Sequence, residues 1–326
     1  MAGRGLACPA CGGRLIQWRE ATASDPQLAP RSRYPLARCP RCGSAVTLEA
    51  RSGDGPASLY EAGTYAPARR SLDWLIEPLR RLTDLDRERF VGAIPPGARV
   101  LEVGAGDGRF LARLAGAGHR VSGIEPSAAA CEQARARGVE IENVGIGDAR
   151  VAPRSQDAVV LWHVLEHLDE PEAALRRVRE WLVPRGRVVV ACPNLGSLQA
   201  RIGGDAWFHQ DVPRHRTHFT ALGLRLLLER TGFRIERVRH LLIEQNPLGM
   251  WQTLLNRLTR ERDVAFRFIK RDLGQAGRGD RRRDLVVTAI AGPLLAPVAL
   301  GLELAAGLRR RGGTMVIEAV AADADG

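Results

Sequence analysis

The chain has 326 residues, 48 of them Lys or Arg and 37 Asp or Glu, a formal charge of +11, and 45% hydrophobic residues. This length and balance exclude a disordered, collagen-like or disulfide-stapled miniature protein and fit one full α/β domain with smaller additions. The charge invites an anionic partner such as nucleic acid. However, Lys270 is the only lysine and arginine is spread throughout, a bias that a GC-rich genome produces without making a binding face.

The N-terminus runs from Met1 through Cys8 without an apolar leader, so the main body is expected in the cytoplasm. Cysteines in a reducing compartment favour metal over disulfides when they are regularly spaced. Cys8-Pro-Ala-Cys11-Gly and Cys39-Pro-Arg-Cys42-Gly repeat one knuckle. Two residues between thiolates let both sulfurs face one tetrahedral ion, and the following glycine permits the tight turn. Residues 1–50 are therefore read as a zinc ribbon held by Cys8, Cys11, Cys39 and Cys42. Four thiolates leave no open position on the ion, so the zinc is expected to be structural. Cys131 and Cys192 stand alone and read as core residues.

Residues 51–98 read as a linker and cap helix: residues 51–59 are rich in Gly, Ser and Pro, an amphipathic helix follows around 69–92, and Pro95-Pro96-Gly97 ends the segment. Residues 99–243 alternate strands with helices. Arg99-Val-Leu-Glu102-Val-Gly104-Ala-Gly106-Asp-Gly108 is an apolar strand, a glycine-rich turn and a helix start. A dinucleotide fingerprint would need glycine at 109, where Arg109 stands. A second strand ends at Glu125, whose carboxylate can accept from both ribose hydroxyls of an adenosine. A third segment ends Gly147-Asp148-Ala149, where Asp148 could accept from an adenine amino group. Asp157–His163, Arg187–Asn194 and Phe233–Ile243 read as the fourth to sixth strands. The alternation implies a doubly wound parallel sheet with its ligand at the carboxyl ends of the strands.

These residues resemble a class I S-adenosylmethionine-dependent methyltransferase, within it the ubiquinone-biosynthesis-like branch. The resemblance covers residues 60–243 and rests on VLEVGAGDG, Glu125, Gly-Asp148-Ala, His163-Val-Leu-Glu-His167, Pro184-Arg-Gly186, Pro193-Asn194, Pro213-Arg-His215 and Thr231-Gly-Phe233. It implies a seven-stranded Rossmann-like sheet and S-adenosylmethionine as cofactor. It also implies that Gly104, Gly106 and Gly108 let the backbone approach the methionine portion, that Glu102 holds its amino group, and that Glu125 and Asp148 bind ribose and adenine.

In-line methyl transfer needs an aligned nucleophile, water exclusion and, for a hydroxyl or acidic carbon, a general base. His163, Glu166 and His167 follow the fourth strand, while His209, His215 and His218 follow the fifth. His163 and His215 are the candidates for base or substrate contact. A helix starting at 163 would put His163 and His167 on one face, where they could also be a buried cluster or bind a divalent metal. Trp207, Phe208 and Phe219 fit either an aromatic wall around an apolar acceptor or plain core.

Residues 244–313 read as a helical insertion. It contains an apolar run, 285–308, with Arg281–Arg283 before it and Arg309–Arg311 after it. Residues 314–326 supply the last strand and tail. The run is long enough to cross a membrane, but the return of 314–320 to the same sheet keeps both of its ends on one side. Pro293, Pro297 and Glu303 also disfavour a straight spanning helix. The expectation is an apolar helical hairpin that lies on or dips into the inner membrane face, or packs on the protein itself. The acceptor expected is a small or lipid-linked molecule. The alternatives are an RNA methyltransferase, which lacks an aromatic-interleaved basic patch here, and a nucleotide-sugar methyltransferase, whose large additional C-terminal domain is missing. The last is a non-catalytic module in which the ribbon docks a partner.

Overall fold

The computed structural model describes residues 6–23, 32–48, 89, 94–242, 245–270 and 278–322. Apart from Arg89 and residues 94–98, the expected linker and cap helix lie outside the described residues.

The N-terminal segment forms an antiparallel meander of β1 (Ile16–Thr22), β2 (Arg33–Arg38) and β3 (Ala45–Thr47). The main sheet begins with β4 (Arg99–Val103), followed by α1 (Arg109–Gly116), β5 (Arg120–Ile124), α2 (Ala128–Arg135) and β6 (Glu140–Glu142). It continues through β7 (Gln156–Trp162), α3 (Pro171–Trp181), β8 (Leu182–Pro193) and α4 (Leu198–Gly203). Next come β9 (Thr217–His218), α5 (Ala221–Arg230) and β10 (Phe233–Arg239). Last are α6 (Asn246–Asn256), α7 (Val264–Lys270), α8 (Arg278–Leu308) and β11 (Thr314–Ala321).

The seven-stranded sheet runs β10-β11-β8-β7-β4-β5-β6, with β11 antiparallel to both of its neighbours and the remaining pairs parallel. This is the Rossmann-like methyltransferase fold, with 314–321 as the inserted last strand, as expected. Central strands covered on both faces read as continuous apolar runs rather than alternating ones: Ala158 to Leu161 of β7 and Val188 to Cys192 of β8 are buried throughout. Each large side chain so buried contributes about 1.5–3 kcal/mol. Sheet order reverses at β4, with β5 on one side and β7 on the other. Ligands of open α/β sheets bind in the crevice outside such a switch point.

Four expectations are corrected. The apolar run is one continuous helix, α8, and not a hairpin. Pro293 and Pro297 sit on its exposed face, so their rings meet no packed neighbour there, and the Trp251 indole N–H donates to Gly292 O at 2.8 Å beside them. The carbonyls that the two prolines leave without a helical donor, Ala289 O and Pro293 O, belong to exposed residues where water can reach them. The strand before Asp148 is only Glu140–Glu142, and the sixth strand stops at Arg239. Finally, residues 163–167 do not begin an α-helix: His163 has φ +56° and only Leu165–His167 make a 3₁₀ turn.

The meander is not a separate body. Strand β9 of the core joins its edge, pairing Ala45 with His218 and Val46 with Thr217. Thr220 Oγ1 donates to Cys42 O at 2.6 Å, and Ser44 Oγ accepts from Thr220 N at 3.1 Å.

Candidate active site at the switch point

The two sides of the switch point are the glycine turn after β4 and the His163 segment after β7. Gly104, Gly106 and Gly108 have φ of +70°, +54° and +71°, left-handed values that favour glycine. Close approach adds a second requirement at two of them. A Cβ on Gly104 would lie 2.4 Å from Val164 Cγ2, and one on Gly108 would lie 2.6 Å from Ala134 Cβ. The turn therefore abuts the residue next to His163.

Glu125, buried after β5, ties the turn down: one carboxylate oxygen accepts from Gly106 N at 2.9 Å and the other from Ser127 N at 2.9 Å. Burial pushes its carboxyl up, opposed by those two backbone donors. Each oxygen keeps a second lone pair, enough for the two hydroxyls of a ribose. Glu102 is buried on β4 beneath the turn. Asp148 stands apart from this cluster, exposed in a turn closed by its N–H to Gly145 O at 3.1 Å.

Across the crevice, His163 N donates to Ala191 O at 3.0 Å, and the residue adopts the left-handed conformation disfavoured for a side chain. This geometry brings Nδ1 to 2.9 Å from Glu166 Oε1. Burial alone would raise the Glu166 carboxyl. The hydrogen bond from His163 and the charges of His163, His167 and His215 outweigh it and hold the carboxyl at about 2. An ionised carboxylate only accepts, so His163 donates from Nδ1 and keeps its basic lone pair on Nε2. That Nε2 is buried and has no partner among the described residues; neither has Nε2 of His209, whose ring stacks with His163 at 6.2 Å and 11°. Burial, then the electrostatic influence of the neighbouring His163 and His215, holds the His209 imidazole down to about 3. Of these two ring nitrogens, that of His209 lies against Gly249 of α6, whose added Cβ would be 2.8 Å from it.

His215 lies one layer behind. It donates from Nδ1 to His209 O at 2.9 Å and packs edge-on against His167 at 4.6 Å. Burial and repulsion from His215 lower His167 to about 4. Glu166, His167 and His215 offer ligand atoms within 4.8 Å of one another, a set that could hold a divalent cation. Trp207 and Phe219 are buried core, while Phe208 packs on His209 and on Phe266 of α7, so the insertion contributes to this wall.

Sequence reasoning missed Thr47. Its hydroxyl donates to His215 O at 2.7 Å and lies 3.0 Å from His218 Nε2. The single hydroxyl proton goes to the carbonyl, which can only accept, so His218 must donate from Nε2. No motif marks a threonine that reaches across 168 positions; only the β3–β9 pairing could have found it.

The four ribbon cysteines converge. Cys8 and Cys42 sulfurs are 3.7 Å apart, and those of Cys11 and Cys39 are 3.5 Å apart. A tetrahedral ion with metal–sulfur bonds near 2.3 Å requires about 3.8 Å, so the donor set fits zinc. The hydrogen bond with Cys8 pulls the Cys42 thiol down to about 4, and Cys8 is pushed up in return.

Comparison with known proteins agrees with the fold. The C-methyltransferase NovU of Streptomyces niveus is 29% identical over 167 residues, 49% of this chain and 38% of that protein. A ubiquinone biosynthesis O-methyltransferase of Thiobacillus denitrificans is 32% identical over 127 residues, 36% of this chain and 54% of its own length. The chain spans about half or less of the length of the curated relatives it matches. Among solved structures, a chain from the complex of the Haloferax volcanii Trm112 methyltransferase activator with a methyltransferase superposes with a TM-score of 0.51. Its identity is 16%, and the match covers 80% of this chain and 98% of that one. The methyltransferase domain family matches residues 76–238, half of the chain, and the chain belongs to that family.

Proposed function

We propose that the chain transfers a methyl group from S-adenosylmethionine to a small or lipid-linked acceptor, with His163 as general base. The observation that carries this is the His163–Glu166 pair, whose basic Nε2 is buried and unpartnered across the switch point from the glycine turn. When bound, S-adenosylmethionine supplies a methyl carbon already activated by its sulfonium. Gly104, Gly106 and Gly108 would let the backbone approach its methionine portion, Glu102 would hold its amino group, Glu125 would take the ribose hydroxyls, and Asp148 the adenine. His163 Nε2 would take the acceptor's proton as its oxygen or carbon attacks the methyl, and Glu166 would stabilise the imidazolium formed. His215 and His167 hold the layer behind in place. Similarity to a C-methyltransferase and to O-methyltransferases supports carbon or oxygen as the atom methylated. Cys8, Cys11, Cys39 and Cys42 would hold a structural zinc that fixes β3 against β9.

The test is calorimetric titration of zinc-replete protein with S-adenosylmethionine, beside Glu125→Ala and His163→Ala. Micromolar binding should be lost in Glu125→Ala and kept in His163→Ala, while methyl incorporation into a membrane extract falls about 10²–10⁴-fold in His163→Ala. A folded wild-type protein that binds no S-adenosylmethionine would overturn the reading.

A further inference from the structure

Helix α8 is apolar on two opposite faces. One face packs on the protein through Gly292, Ala299 and Ala306, and it also buries Asp284 and Glu303. The other carries Val286, Ile290, Leu294 and Val298, spaced four residues apart, then Leu304 and Leu308 on the same side. Ile290 is 66% exposed, Leu294 71% and Leu308 80%. Between Arg283 and Arg309 this outer face has no charged residue; the acids of the run, Asp284 and Glu303, both point inward. Exposed Arg282 stands at one end of the stripe, and Arg309, Arg310 and Arg311 at the other.

We propose that this face lies in the plane of an anionic membrane surface. The apolar stripe would sink to the acyl boundary, with the arginine clusters paired to lipid headgroups at both ends. The charges select this occupant over a second copy. Antiparallel docking of two α8 helices would set Arg282 of one against Arg309–Arg311 of the other; the exposed acid near that end, Asp280, is already paired with Arg260 at 2.6 Å. Anionic headgroups match both clusters at once. Crossing the bilayer is excluded by the fold, because the inner face of α8 packs on the protein, Trp251 meets it at Gly292, and β11 returns directly to the sheet. The unsatisfied carbonyls that Pro293 and Pro297 leave on α8 are tolerable near headgroup water and costly in mid-bilayer. This inference stands on the surface alone and does not depend on the proposed reaction.

The experiment is co-sedimentation of the full-length, zinc-containing protein with vesicles, read as a partition coefficient. Vesicles of phosphatidylcholine alone are compared with vesicles containing about one third phosphatidylglycerol. The anionic vesicles should bind the wild type, with binding weakening as salt rises. Leu294→Glu, at an exposed position with urea unfolding as the folding control, should abolish binding. Replacing Arg309, Arg310 and Arg311 together by Gln should lower the partition coefficient about fivefold per arginine, roughly a hundredfold in all. Failure of the folded wild type to bind either vesicle would overturn the proposal. So would binding that Leu294→Glu leaves intact. Light scattering showing a wild-type dimer that Leu294→Glu converts to monomer would assign the face to a second copy instead.

Discussion

Glu303 makes the stability of this protein depend on pH in a direction opposite to most carboxylates, and Glu303→Gln isolates the effect. The side chain is 1% exposed on the inner face of α8; Oε2 accepts from Gly313 N at 3.2 Å, and Oε1 has no partner among the described residues. Burial pushes the carboxyl from 4.5 up to about 7, against the pull of the Gln199 amide and the Gly313 N–H. A group whose folded value is raised binds its proton more tightly in the folded state. Its contribution is complete below about 4.5, shrinks as pH rises through about 7, and is gone above. At 1.36 kcal/mol per unit this amounts to about 3 kcal/mol between pH 4 and 8.5. Glutamine stays neutral throughout, so the stability of wild type relative to Glu303→Gln should fall by about that much over the range. Urea unfolding of both proteins, zinc-replete, at half-unit pH intervals measures it; with a urea slope of roughly 3 kcal/mol/M the midpoints separate by about 1 M. Effects of pH on the ribbon are common to both proteins and cancel in the difference. A difference constant with pH, or a wild type that gains on the variant as pH rises, would refute the reasoning.

Three further predictions bear on the crevice and on the ribbon behind it. Gly104→Ala should cost more than Gly118→Ala. Both positions have left-handed φ, at a strain of about 1–3 kcal/mol each, but only at 104 does the added methyl meet a neighbour, Val164 Cγ2 at 2.4 Å. Gly104→Ala should also weaken S-adenosylmethionine binding at least tenfold in calorimetry, and equal losses at the two sites would rule out the contact. Thr47→Val should destabilise by about 1–3 kcal/mol through the lost bonds to His215 O and His218. Hydrogen exchange should then quicken at the amides of residues 215–218. Zinc chelation should give the same exchange signature more strongly, whereas an unchanged pattern would detach the ribbon from the site.

Much of the architecture is legible before any coordinates. Apolar runs such as Ala158–Leu161 and Val188–Cys192, separated by helical stretches, read as buried strands of a parallel sheet. Paired cysteines at two-residue spacing specify a tetrahedral site, and glycines at 104, 106 and 108 specify a left-handed turn. Even the late strand at 314–321 shows in its β-branched composition. Such features are local, since spacing and residue type alone fix the backbone options. What the sequence leaves open is everything that depends on which distant surfaces meet. That α8 runs unbroken through two prolines depends on both falling on its exposed face, which the packing of its other face decides. The division of labour among the histidines, with His163 in the crevice and His215 behind it, comes from the left-handed turn at 163 and the carbonyls of Arg214 and His209. The ribbon joins the site only because β3 completes its hydrogen bonds on β9. Unpaired backbone groups at a sheet edge are costly, and it is the tertiary structure that decides which strand satisfies them.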